Sequence, residues 1–298
     1  MTHENQTMHV PVMPAEVVEW LAPQPGKVIV DGTVGLGGHA RRIVQLLLPG
    51  GLLIGLDRDA EALKVAGETL APWKENVRLF HLNYTRAVEA LTAAGVEQAD
   101  GVVYDLGVSQ LQLKTPGRGF SFTDDAPLDM RMDVSAGETA AELIRRLPEP
   151  ELERIIREYG EERYARRVAR RIVEARRRSP ITTTADLARL VAEVVPPSGR
   201  IAPQTRTFQA LRIAVNHELE ELQSALGRTF RLVRPGGRVV AIAFHSLEDR
   251  IVKNTFREQA RQGIYRILTR KPLRPSREEV LHNRASRSAR LRAAERTQ

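Results

Sequence analysis

The sequence predicts an α/β chain with a doubly wound, mostly parallel sheet and an all-helical insertion. Three observations predict it. Short apolar runs that end in an acid alternate with helical patterns over the first hundred residues. The alternation then stops for about ninety residues of loop and helix. It resumes with a strong β run at Arg238–Phe244.

Pro14–Leu21 reads as a helix covering the sheet before its first strand. Val28–Asp31, Leu52–Asp57, Val77–Leu82 and Gly101–Leu106 read as four strands. The helices between them are Gly38–Leu48, Ala60–Leu70, with Asp59 placed to cap it, and Ala87–Ala94. Residues 113–135 are loop-like and 139–195 helical, with Pro148 and Pro150 at one boundary. Glu161–Arg178 reads as a basic helix with Tyr164, Val168 and Ile172 on one stripe. Thr184 is placed to cap Ala185–Val195, and Pro196-Pro197-Ser198-Gly199 ends it. Phe208, Leu211, Val215, Leu219, Leu222 and Leu226 form one core-facing stripe, which predicts a single long helix up to Arg234-Pro235-Gly236-Gly237. Tyr265–Thr269 and the chain end are expected as edge strands. The expected division is residues 1–112 as the first part of the core, 113–204 as the helical insertion for substrate recognition, and 205–298 as the second part of the core with a basic tail.

The chain has 298 residues, is 42% hydrophobic and carries a net charge of +8. No apolar run is long enough to span a membrane, and the start, MTHENQTMH, lacks a signal-peptide core. A soluble cytoplasmic protein is expected, with no membrane partner. There is no cysteine. That excludes disulfides, thiolate metal sites and any cysteine nucleophile, including thiolate attack on a pyrimidine ring. Residues 250–298 hold 14 Lys/Arg against 4 Asp/Glu, and Arg145–Arg178 holds 12 Arg against 7 Glu. Such stretches suit phosphate-rich partners, and a merely solvated arginine surface is the alternative.

Val28–Gly38 followed by Leu52–Asp57 builds a nucleotide-shaped pocket at the carboxyl ends of strands. Gly35–Ala40 fits G-x-G-x-x-A, and Asp57 follows at the spacing of a ribose-binding acid. A dinucleotide therefore remains one reading. Against it stands Asp31, just before the glycines, where a carboxylate would repel pyrophosphate by about 1–4 kcal/mol per close pair. Asp105 adds a third strand-end acid. S-adenosylmethionine has no phosphate and carries a sulfonium and an ammonium, so it fits these acids better. Ordinary helix capping is the plain alternative for all three.

Six segments then occur in order: Gly35–His39, Asp105–Ser109, Arg118–Phe122, Pro127–Asp133, Thr207–Ile213 and Phe244–Arg250. With them the chain closely resembles the bacterial small-subunit rRNA (cytidine N4)-methyltransferase family, from about His9 to Arg296. The resemblance implies a Rossmann-like class I methyltransferase core, S-adenosyl-L-methionine as cofactor, and methylation of a cytidine N4 amine in the ribosomal decoding region. It implies cofactor contacts at Gly37, Gly38, His39, Asp57, Tyr84, Asp105 and Gln112; no residue is assigned to a metal. It implies small-subunit ribosomal RNA or the assembled small subunit as partner, with a homodimer kept open. Two departures stand out. Gln110 and Lys114 replace a small residue and an acid, which bears on the pose of Gln112. Asn283-Arg284-Ala285-Ser286 precedes Arg287-Ser288-Ala289 where the family often has Asn-Pro-Arg.

A cytidine amine is a poor nucleophile because its lone pair is delocalised into the ring. Positioning and hydrogen bonds to the pyramidalising amine would supply most of the acceleration. Many amine methyltransferases use an acid or Asn followed by Pro-Pro-aromatic after strand four; here Asp105-Leu106-Gly107-Val108 stands there. His245, after strand five, is the expected catalytic or base-pocket residue, with a helix cap as its alternative. His39 alone would read as a helix cap. Phe120 and Phe122 either stack on an extruded base or plug the core. Arg166, Arg167, Arg170 and Arg171 either meet RNA phosphates or form a solvated face. An RNA-binding assembly factor that keeps the pocket only structurally is the non-enzymatic reading.

Overall fold

A computed structural model describes residues 11–115, 117–197 and 201–298. The start MTHENQTMH and residues 198 and 199 of the expected helix stop lie outside them. In chain order the elements are α1 (Pro14–Leu21), β1 (Val28–Asp31), α2 (Gly38–Leu47), β2 (Leu52–Asp57), α3 (Ala60–Leu70), β3 (Val77–His81), α4 (Ala87–Ala93) and β4 (Ala99–Asp105). There follow α5 (Gln110–Lys114), α6 (Ala140–Arg146), α7 (Glu149–Gly160), α8 (Ala165–Arg176), α9 (Thr184–Ala192) and α10 (Thr205–Asn216). The last elements are α11 (Glu218–Arg228), β5 (Val233–Ala243), α12 (Ser246–Arg261), β6 (Tyr265–Ile267), α13 (Arg277–His282) and β7 (Arg290–Arg296).

The chain forms two compact units, Met1–Gly107 with Leu219–Gln298, and Val108–Glu218. The division falls outside the expected 113–204 at both ends. α10, expected in the core, packs on α7 and belongs to the helical unit.

In the core unit the sheet order is β3-β2-β1-β4-β5-β7-β6. β1 to β5 pair in parallel, and β7 pairs antiparallel with both β5 and β6. The order reverses at β1, which opens a crevice at the carboxyl ends of β1 and β4. Both faces are covered, so the inner strands are apolar at nearly every position. Ile29, Leu53, Val103 and Val240 pack with α1, α2 and α3. Their neighbours Val30, Ile54, Val102 and Val239 pack with α4, α11 and α12. This alternation is the pleat of the strands.

Two core expectations change. β5 starts at Val233 rather than Arg238, with a register irregularity against β4 between Ala99 and Gly101. β7 is interior rather than an edge strand. Its Ala293 and Ala294 are small enough to be fully buried, and its Arg292 is bonded to Asp249 of α12.

The helical unit has its own core, with Leu143, Ile156, Val168, Ile172, Leu187 and Leu211 buried. α8 starts at Ala165, not Glu161, because Glu161 adopts the left-handed conformation that ends α7 (φ 48°). Thr183, not Thr184, caps α9, accepting from Asp186 N at 3.2 Å. The single long helix expected across 208–226 is two helices, broken at His217 in the left-handed region (φ 51°). Local bonds hold the break. Asn216 Nδ2 donates to Met130 O and Arg212 O, and its Oδ1 accepts Met132 N. Arg212 makes two 2.8 Å bonds to Glu218. Among the described residues no helix is long and apolar enough to cross a membrane.

Candidate functional site

The site begins where β1 ends. Asp31 is buried, and its Oδ1 accepts Thr33 N at 3.1 Å. Thr33 Oγ1 accepts Asp105 N at 2.7 Å, tying the first loop to the end of β4. Gly35, at φ 52°, donates its N–H to Asp57 Oδ2 at 2.8 Å. Asp57 Oδ1 accepts Asp59 N at 2.9 Å, and Asp59 caps α3 as expected. Gly37 precedes α2 at φ 85°, which a side chain would strain. Gly38 sits so close to Pro11 that an added Cβ would lie 3.2 Å from it. The glycines thus form a tight turn framed by backbone and carboxylates.

The electrostatics are unusual for a buried crevice. Burial pushes the Asp31 carboxyl up to about 7, against the opposing pull of His39, with Asp105 and Asp57 adding to the rise. Burial pushes Asp57 up to about 6, although the Asp59 and Gly35 amides favour its charged form. His39, buried in the first turn of α2, holds Nε2 3.5 Å from Asp105 Oδ2. Neither His39 Nε2 nor Asp105 Oδ1 has a hydrogen-bond partner among the described residues, though both atoms are buried. Three carboxylates against one imidazole leave excess negative charge and unsatisfied polar atoms. Such a crevice suits a cationic ligand with donors and disfavours pyrophosphate.

Tyr84 lies in a single helical turn after β3, its ring edge-on to Tyr104 at 5.7 Å. Asn83 caps that turn through Oδ1. Its Nδ2 donates to Glu221 Oε2 at 2.7 Å, and the same oxygen accepts Arg58 Nη1 at 2.9 Å. His81 Nε2 meets Arg58 O at 2.9 Å. Glu221 therefore ties together the neighbours of Asp57 and Tyr84. No sequence signal marks it, since its partners lie 138 and 163 positions away.

Gly37, Gly38, His39, Asp57, Tyr84 and Asp105 all belong to the core unit. Gln112 belongs to the helical unit, buried in α5, where its side chain closes a capping box with Ser109. His245 caps α12. Its Nδ1 accepts Glu248 N, and Glu248 Oε2 accepts the Phe244 and His245 amides. His245 Nε2 is 3.2 Å from Glu248 Oε1 but off the hydrogen-bonding direction, and it has no hydrogen-bond partner among the described residues.

Phe120 is buried in the helical core and Phe122 stacks edge-on against Phe208 at 5.2 Å. Both are core plugs, so base stacking by this pair is set aside. On α8, Arg170 is paired with Glu174 and Arg171 with Glu193. Arg166 and Arg167 are exposed, and Arg167 lies over the Tyr164 ring at 5.6 Å. The expected four-arginine face thus reduces to two cations without a carboxylate partner among the described residues.

Comparison with known proteins adds to this geometry. A family model described as the MraW methylase family matches residues 6–297. A curated relative from Syntrophotalea carbinolica, named ribosomal RNA small subunit methyltransferase H, is 53% identical, covering 97% of this chain and 98% of its own. Another of that name, from Thermotoga neapolitana, is 52% identical, covering 96% of this chain and 95% of its own.

Proposed function

The chain belongs to the MraW methylase family, and from that premise we propose that it methylates the exocyclic N4 amine of a cytidine in the decoding region of small-subunit ribosomal RNA, with S-adenosylmethionine as methyl donor. The observation that carries the cofactor reading is the crevice of Asp31, Asp57 and Asp105 around His39. Its excess charge and its two orphaned buried atoms fit a ligand with cationic and amine groups.

In this reading Asp57 would accept hydrogen bonds from the ribose hydroxyls, and the turn at Gly37, Gly38 and His39 would frame the amino-acid end. Tyr84 would border the base of the cofactor, and Asp105 would receive donors through Oδ1. S-adenosylmethionine would supply an electrophilic methyl on its sulfonium, so that forming the nitrogen–carbon bond would break the sulfur–carbon bond and release the amine proton to water or a carboxylate. The protein's own task is to hold the amine in line and to accept its hydrogen bonds as the lone pair leaves conjugation. His245, at the carboxyl end of β5, is assigned to the target base, with Nδ1 spent on the cap and Nε2 left for substrate. The partner follows as the small-subunit RNA or the assembled small subunit, in the cytoplasm. A homodimer is read out by sedimentation with and without RNA.

Calorimetry and single-turnover methylation test this reading. S-adenosylmethionine should bind and NAD should not; binding of NAD alone sinks it. His245→Asn retains a capping oxygen but removes the imidazole. It should slow methyl transfer at least about tenfold, at the modest end for a positioned polar group. An unchanged rate leaves His245 as a cap only.

A further inference from the structure

The cations from Arg261 to Arg296 divide into two groups. Those at the end of α12 and on β6 and β7 are spent within the protein. Arg261 pairs with Glu258, Arg266 with Glu295, and both Arg290 and Arg292 with Asp249. Arg296 donates to Val233 O. A second group lies on the excursion between β6 and β7: Arg270, Lys271, Arg274, Arg277, Arg284 and Arg287. All six are exposed, and none has a hydrogen-bond or carboxylate partner among the described residues. The excursion contains two acids. One, Glu279, is committed to the backbone, accepting Met13 N at 2.7 Å. That leaves Glu278 as the exposed acid in a segment with six exposed cations.

The excursion is built rather than loose. Leu273 exchanges two backbone bonds with Leu291 of β7. Thr269 Oγ1 accepts Ala293 N at 2.9 Å, deep against the sheet. Ser276 caps α13, and Ser286, fully buried, donates its hydroxyl to Asn283 O at 2.8 Å. α13 packs on the turn that follows it. A frame held at this many points leaves little backbone to order on binding, so that only the cationic side chains are immobilised.

We propose that the excursion 270–287 of the core unit is a phosphate-contacting RNA surface, additional to the arginines of α8. The inference rests on the reading of RNA as substrate. Unpaired cations on a fixed frame match a repeating anion such as an RNA backbone, through counterion release. A lipid surface fits less well. α13 spans six residues, and Leu281 is the exposed large apolar side chain of the excursion, too little apolar area for interfacial insertion.

The test uses the full-length protein and a fluorescent transcript of small-subunit ribosomal RNA, titrated at several KCl concentrations. The variant is Arg274→Glu with Arg277→Glu. The control is Arg86→Glu with Arg261→Glu, which makes the same charge change at exposed cations that have carboxylate partners. The excursion variant should weaken RNA binding several-fold beyond the control. It should lower the slope of log affinity against log salt by about 1 for each lost phosphate contact. Arg274→Lys with Arg277→Lys should restore most of the affinity. S-adenosylmethionine affinity should be unchanged in all variants, which reports an intact core. Equal RNA affinity in the excursion variant and the control overturns the proposal, as does equally tight binding of the wild type to phosphatidylglycerol vesicles. If wild type binds RNA through the excursion yet transfers no methyl to cytidine, the functional reading fails and the surface stands.

Discussion

Asp31 sets the charge balance of the crevice. Its raised affinity for a proton stabilises the folded protein below the ordinary carboxylate pKa, and that contribution is lost as pH rises toward about 7. Asp57 does the same toward about 6. The ligand-free protein should therefore lose thermal stability between pH 4.5 and 7.5, less steeply in Asp31→Asn. A cationic ligand favours the ionised carboxylate, so S-adenosylmethionine affinity should rise with pH over the same window and binding should release protons. Calorimetry in buffers of different ionisation enthalpy reads this directly; a pH-independent affinity without proton release contradicts it. Glu221→Ala should weaken cofactor binding about three- to tenfold, the range of one or two lost hydrogen bonds, with secondary structure intact by circular dichroism. No change would leave Glu221 a surface acid. The three aspartates were legible because each ends an apolar run beside a turn. Glu221 was not, because it acts on residues brought to it only by the finished fold.

The strands and their helices were legible element by element, since a buried parallel sheet writes continuous apolar runs and short glycine turns. The bounds of β1, β2, α1 and α3 coincide with those expected. The break at His217 was not legible, because the apolar spacing continues in phase across one left-handed residue. The pairing of Asn216 with a loop some eighty-five residues away, and of Arg212 with Glu218 across the break, marks it. β7 was underrated for a related reason. A strand rich in arginine looks like an edge until Asp249, in the Phe244–Arg250 segment, is seen to bond Arg292 twice. Arg292→Ala should cost about 2–3 kcal/mol in urea unfolding, somewhat below a fully buried pair because Arg290 also faces Asp249. A change under about 0.5 kcal/mol, the scale of ordinary surface substitutions, would reduce the pair to surface decoration.

Over the whole molecule, net charge indicated a polyanionic partner but not where it meets the protein. Ion pairing decides that. On α8, Arg170 and Arg171 are spent within the protein, and Arg166 and Arg167 are not. Arg166→Glu with Arg167→Glu should weaken RNA binding and flatten its salt slope, while Arg170→Glu with Arg171→Glu, the same charge change at paired arginines, should do less; a reversed order would assign phosphate contact to the paired arginines. The family was legible because its motifs run the length of the chain, and the comparisons match over that same length. The most direct measurement is mass analysis of nucleosides from small subunits and free small-subunit RNA, lacking this methyl group and incubated with the protein and isotopically labelled S-adenosylmethionine. The account predicts labelled N4-methylcytidine at one site in the decoding region. Label on another base, on the C5 carbon or nowhere would contradict it.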